Sequence, residues 1–109
     1  MIKNESKKTV IANNFLYKTG LSKMVGLLFK QEVEAIVFRT RFGIHTFLMS
    51  KPFDLIVLNK RYEVVFIKES VKPNRVILWN PKYDIVLELP AGSVNNSKTG
   101  LGDKLNLKL

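Results

Sequence analysis

The stretch Leu55-Ile56-Val57-Leu58-Asn59-Lys60-Arg61-Tyr62-Glu63-Val64-Val65-Phe66-Ile67 sets two short apolar runs on either side of a polar break. Each run is too short for an ordinary helix and rich in β-branched residues, which predicts strands. Asn59-Lys60-Arg61-Tyr62 then reads as a hairpin loop of about four residues, a common length between antiparallel strands. Neither run alternates apolar with polar, so both faces of each strand are apolar. Strands of that kind lie covered on both sides, and a helix or a second sheet layer must supply the cover.

Working outward, further apolar runs stand at Thr9–Ala12, Ala35–Phe38, Thr46–Met49, Val76–Trp79 and Ile85–Leu89. Their spacing at roughly ten residues, with turn residues between them, predicts a compact sheet or small barrel. Pro52, Pro73, Pro81 and Pro90 fall at the edges of runs, where a missing N–H does least harm. Helical signal is sparse. Leu21, Met24, Val25 and Leu28 follow the spacing of one helix face, and Gly26 shortens the expected helix to about 20–26. A second short helix is expected over 91–97, after Pro90 and Gly92 break the preceding strand. The fold class is therefore mostly β, a β-rich α+β domain with one or two short helices. The 109 residues suit one domain, expected over 9–109, with residues 1–8 as a flexible end carrying Lys3, Lys7 and Lys8.

Composition narrows function by exclusion. Hydrophobic residues make up 46% of the chain and charged residues 25%, enough apolar surface for one core and too much for disorder. There is no cysteine, which removes disulfides, thiolate metal sites and a cysteine nucleophile. Neither a signal-like apolar run nor a stretch of membrane-spanning length occurs, so a cytoplasmic location is expected. Lys and Arg number 18 against 9 Asp and Glu, a formal charge of +9. Such a field draws in anions without defining a site. Residues 1–51 hold +6 and residues 52–109 hold +3, with no dense block in either.

No metal site or cofactor is predicted. The single histidine, His45, opens an apolar run and reads first as a partly buried side chain holding a backbone carbonyl, second as an acid–base group. Asp54, at the head of a strand after Pro52-Phe53, caps a loop or faces a pocket. Glu88 interrupts Val86-Leu87-Glu88-Leu89-Pro90 and needs a cation or backbone N–H groups, because an unpaired buried charge is costly. Gly100-Leu101-Gly102-Asp103 lacks the third glycine of a dinucleotide fingerprint and reads as a turn, with Asp103 bonding its own backbone. Gly92 is a second structural turn. Phe38-Arg39-Thr40-Arg41-Phe42, with Lys51 downstream, interleaves cations and aromatics as nucleic-acid binders do. Arg39, Arg41 and Lys51 are thus the candidate contacts for nucleic acid or another polyanion.

The same residues resemble the DUF192 (UPF0127) family of uncharacterised small proteins. The likeness runs over roughly residues 10–107. It is carried by Gly26-Leu27-Leu28-Phe29, by Ala35-Ile36-Val37-Phe38, by His45-Thr46-Phe47-Leu48-Met49-Ser50-Lys51-Pro52-Phe53-Asp54, and by Val86-Leu87-Glu88-Leu89-Pro90-Ala91-Gly92 followed by Gly102-Asp103. Leu48 stands where many members have tryptophan. Arg61-Tyr62 stands where many have a hairpin glycine, which implies a wider hairpin or a Tyr62 packed over its neighbours. The resemblance implies a small β-rich fold and no activity. Two functional readings follow. The favoured one is a non-catalytic binding or interaction module with a basic surface, a monomer or small homo-oligomer. The alternative is a small hydrolytic enzyme using His45 with Asp54 and Glu88 in one pocket.

Overall fold

A computed structural model describes residues 1–18, 34–41, 43–46 and 51–109. Its strands are β1 (Ile2–Asn4), β2 (Thr9–Ala12), β3 (Leu16–Lys18), β4 (Ile36–Arg39), β5 (Ile44–His45), β6 (Phe53–Leu58), β7 (Val64–Val71), β8 (Val76–Ile77), β9 (Ile85–Pro90) and β10 (Leu105–Asn106). One short helix, here α1, covers Ser93–Asn96. The runs Ala35–Phe38, Leu55–Leu58, Val64–Ile67 and Ile85–Leu89 appear as strands or strand cores, while of Val76–Trp79 only Val76–Ile77 is a strand. The helix expected over 20–26 and most of the run Thr46–Met49 lie outside the described residues.

The central sheet has five strands in the order β3-β4-β9-β6-β7. β3 runs parallel to β4, and the other pairs are antiparallel. All six residues of β6 are buried. Its two faces build two separate cores. Val37, Ile56, Leu58, Leu87 and Leu89 pack on one side with Ile2, Ala12, Leu105 and Val94. That side is covered by a three-stranded sheet, β10-β1-β2, together with α1. Ile36, Phe38, Leu55, Val57 and Val86 form the other core, with Ile77 buried among them and Ile44, Trp79 and Tyr83 packed against it. There the cover comes from the two-stranded ribbon β5-β8 and the segment after it. Both means of cover left open by the apolar runs are therefore used.

Two turns depend on backbone that favours glycine. Gly43 has φ +85°, and a Cβ there would stand 2.3 Å from the Ile77 carbonyl oxygen, so only glycine lets β5 pass this close to β8. Tyr62 is the reverse case, a bulky residue at φ 61° where the family resemblance expects glycine. The strain is offset locally. Asn59 Oδ1 accepts from the N–H groups of Arg61 and Glu63, both at 2.9 Å, and Tyr62 N–H reaches Asn59 O at 3.0 Å. The Tyr62 ring packs against the first core.

Residues 1–8 differ from the flexible end expected of them. β1 is the middle strand of its sheet, pairing with β2 and β10. Ile2 and Asn4 are buried while Lys3 and Glu5 are exposed, a period-2 pattern. The strand is only three residues long and one of its two inward-facing residues, Asn4, is polar, so the alternation does not show as an apolar pattern. Ile2→Ala is expected to cost about 2–4 kcal/mol in urea unfolding, the range for an aliphatic side chain cut back in a packed core. A loss below roughly 0.5 kcal/mol, the size of an ordinary surface substitution, would return this segment to a loose end.

Candidate functional site

Asp54 and Glu88 are both buried polar residues on central strands, and they meet that cost in opposite ways. Asp54 is fully buried. The register of β6 against β7 slips between Phe53 and Leu55, so Asp54 has no cross-strand partner there. Its Oδ1 instead accepts from Ser70 N–H at 2.9 Å. Its Oδ2 accepts from Gly92 N–H at 3.1 Å and Val94 N–H at 2.9 Å. The carboxylate thereby ties β6, the bulged part of β7 and the start of α1 together. Gly92, at φ +96°, supplies the turn that aims two of those N–H groups at one oxygen. Asp54 caps and anchors.

Glu88 stands opposite Ile36 and Leu55 in register, on the other face of the sheet. It is 3% exposed, and its Oε2 has no hydrogen-bond partner among the described residues. Burial pushes its carboxyl up to about 7. The cation or N–H groups expected beside it are not among its described neighbours, and the protonated acid is the form such surroundings favour.

His45 lies on β5 opposite Val76 and is exposed rather than partly buried. Its neighbour Thr46 is buried, and the Thr46 Oγ1 donates to Lys72 O at 2.8 Å and accepts from Arg75 N–H at 2.8 Å. The β5-β8 ribbon is on the Glu88 side of the sheet, and Asp54 is on the α1 side. The central sheet thus stands between Asp54 and the other two, and the three do not share one pocket.

Asp103 does more than close its own turn. It accepts from Gly100 N–H at 2.9 Å, from Asn4 Nδ2 at 2.9 Å and from Lys7 Nζ at 2.8 Å. Burial raises its pKa, but the donors from Asn4, Lys7 and Gly100 outweigh that and hold the carboxyl below its ordinary value. Gly102, at φ +87°, carries the turn and donates to Val64 O at 2.8 Å. Among the described residues, no three His, Cys, Asp or Glu side chains converge to hold a metal.

Chemistry directed at solvent gathers at one end of the central sheet. β4 and β6 finish there and β9 begins there, since Leu58 and Arg39 both sit opposite Ile85. Their connections bound a cleft of about 460 Å³ lined by Arg41, Leu58, Asn59, Lys60, Arg61, Lys82, Tyr83 and Asp84. Four of these are cations. The one carboxylate, Asp84, is already engaged by Arg39 at 2.9 Å and Arg41 at 3.6 Å. Arg41 also donates to the carbonyls of Pro81 and Lys82 at 3.1 and 3.3 Å. Arg39 is thus committed to an ion pair, while Arg41 is a fixed wall of the cleft. Lys51 is exposed and does not line it. Lys60, Arg61 and Lys82 read only as loop residues in the sequence. Their convergence depends on which strands end together, and no local pattern carries that.

A five-stranded sheet covered by a three-stranded sheet on one face and a two-stranded ribbon on the other, with a basic cleft at the strand ends, defines a small layered β domain. The chain belongs to the DUF192 family, described as "Uncharacterized ACR", whose model matches residues 2–107. The fold is similar to that of a protein of unknown function from Novosphingobium aromaticivorans DSM 12444. That likeness has TM-score 0.71 and 18% identity, covering 85% of this chain and 74% of that one. It is also similar to a Sinorhizobium meliloti 1021 protein described as "a putative transcription regulator". Here the TM-score is 0.63 and the identity 17%, covering 84% of this chain and 79% of that one. No curated protein matches the chain.

Glu88 makes stability depend on pH with a definite sign. Its ordinary pKa is 4.5 and its folded value about 7. Between those values the unfolded chain releases the proton and the folded chain keeps it. The stability associated with the neutral acid is therefore complete below pH 4.5 and is lost as pH rises through about 7. At about 1.4 kcal/mol per pH unit the loss is on the order of 3 kcal/mol. Glu88→Gln should match the parent near pH 5 and exceed it at pH 8, seen in urea unfolding across a pH series. Retention of the parent's slope by the glutamine variant would rule Glu88 out as its source. Asp54→Ala should cost on the order of 3 kcal/mol, because it strands three N–H groups that its carboxylate satisfies. A variant as stable as the parent in the same measurement would show that those bonds are dispensable.

Proposed function

We propose that the protein is a non-catalytic binding module of the cytoplasm that takes a polyanionic partner at the cleft bounded by Arg41, Lys60, Arg61 and Lys82. One observation carries this reading: four cations line one opening whose single carboxylate is neutralised from within the fold. Arg41 is engaged by Asp84 and Arg61 by Glu63 at 3.3 Å, but among the described residues neither Lys60 nor Lys82 is ion-paired, so the charge of the two lysines is available to a ligand. The low-dielectric wall around Leu58 and Tyr83 strengthens the field of such a cluster beyond that of cations scattered over a surface. A module of this kind needs no acid–base pair. Separation of Asp54 from Glu88 and His45 supports the binding reading over the hydrolytic one. The description of the Sinorhizobium structure concerns that protein, and at 17% identity the likeness speaks for the fold.

Titration with labelled nucleic acid at rising salt tests the proposal. Affinity should be measurable at low salt and fall linearly in log–log form, with a slope of roughly −2 to −3 if three to four phosphates are neutralised. Lys60→Gln combined with Lys82→Gln should flatten that slope by about one to two and weaken binding at low salt, without altering the thermal midpoint by more than a few degrees. Absence of binding at low salt, or a slope untouched by the double change, removes the cleft as a polyanion site.

A further inference from the structure

Resting on that reading of the cleft, we infer that its ligand is single-stranded nucleic acid in preference to duplex, with phosphates on Lys60 and Lys82 and a base against the ring of Tyr83. The argument starts from Tyr83, the aromatic among the cleft residues. It is half-buried and held through its main chain: its carbonyl accepts from Trp79 Nε1 at 2.8 Å and its N–H donates to Asn80 O at 3.0 Å. Trp79 is itself braced against Phe66, their ring centroids 6.2 Å apart. The tyrosine is thus a platform fixed before any ligand arrives. Lys82 Nζ stands 5.9 Å from the centre of its ring. That is a place a base can take while the flexible lysine stem swings its charge onto the adjoining phosphate. Aromatic platforms beside mobile cations are how single strands are held without sequence readout.

Duplex recognition asks for a different shape. A helix or a projecting two-stranded ribbon must enter the major groove. The β6–β7 hairpin is a ribbon, but its tip is tied down. Lys104 Nζ donates to Arg61 O, Leu105 N–H donates to Tyr62 O at 2.9 Å, and Glu63 bridges Lys104. The tip therefore lies back against β10 and walls the cleft. A concave site of about 460 Å³ admits an unstacked base and its phosphates and does not fit the convex rod of a double helix.

The test is fluorescence anisotropy on the full chain, with an oligothymidylate of about 12 nucleotides and a blunt duplex of the same length, both at about 50 mM salt. The single strand should bind at least about tenfold tighter than the duplex, Tyr83→Ala should lose about tenfold in single-strand affinity, and Tyr83→Phe should keep it. An oligonucleotide carrying 5-iodouracil, irradiated with the unaltered protein, should cross-link to the peptide that contains Tyr83. This readout stands even where Tyr83→Ala does not fold. Equal affinity for the two nucleic acids, or cross-links that avoid that peptide, overturns the inference. Equal affinity that still depends on Lys60 and Lys82 leaves the polyanion reading in place. No binding of either nucleic acid brings down both.

Discussion

Six consecutive buried residues, Phe53–Leu58, leave β6 no face for water, and the rest of the chain is organised around covering both of its sides. One cover is assembled from segments far apart in sequence, Ile2–Asn4, Thr9–Ala12 and Leu105–Asn106, together with α1. The other is a ribbon made from Ile44–His45 and Val76–Ile77. Apolar burial drives both associations in proportion to area, but area alone does not fix the angle at which a cover docks. Asp54 does that for the first cover. Its carboxylate collects N–H groups from β7 and from both ends of the Gly92–Val94 turn, so α1 meets the sheet at one position. Asp103, gripping Asn4 and Lys7, locks the chain's first strand to its last in the same manner.

Glu88 shows what the same strand environment does to a carboxyl that lacks such donors. It is neighboured in register by Ile36 and Leu55, and it gives up its charge more readily than it finds a partner. Two carboxyls on adjacent central strands, one gripped by three N–H donors and one pushed toward its neutral form by burial, resemble the split environments that separate acid from base in an active site. Here the sheet stands between them, so neither can reach a group on which the other acts. The contrast belongs to folding and its pH dependence. The basic cleft lies elsewhere, at the strand ends, where loops meet on a rigid scaffold.

Much of the architecture was legible in the sequence because its signals were local. Unbroken apolar runs announced two-sided burial, and the hairpin at Asn59–Tyr62 came with its turn chemistry. β1, β3 and β10 were not legible. Each has two or three residues, too few for a period to declare itself, and each is held by distant partners: Leu16–Lys18 needs β4 and Leu105–Asn106 needs β1. The position of the basic cleft was not legible. A basic, aromatic-lined surface was expected around Arg39, Arg41 and Lys51, but Arg39 is committed to Asp84 and Lys51 lies outside the cleft. Arg41 alone belongs to both sets.

That outcome has a general cause. A cation's use to a ligand depends on whether the fold has already supplied it with a carboxylate, and sequence charge counts cannot register this. The denser cluster at Arg39 and Arg41 is partly neutralised by Asp84, which arrives from a loop more than 40 residues away. Lys60 and Lys82 are unremarkable in sequence, each sitting in a short turn. They matter because β6 ends where β9 begins, with Leu58 opposite Ile85, so the loop leaving one strand faces the loop entering the other. Antiparallel neighbours always bring such loops together at one edge. A net charge of +9 distributed through connections will then concentrate wherever those connections converge. In this chain that point holds a cleft with an anchored aromatic ring, and the basic excess has a definite address.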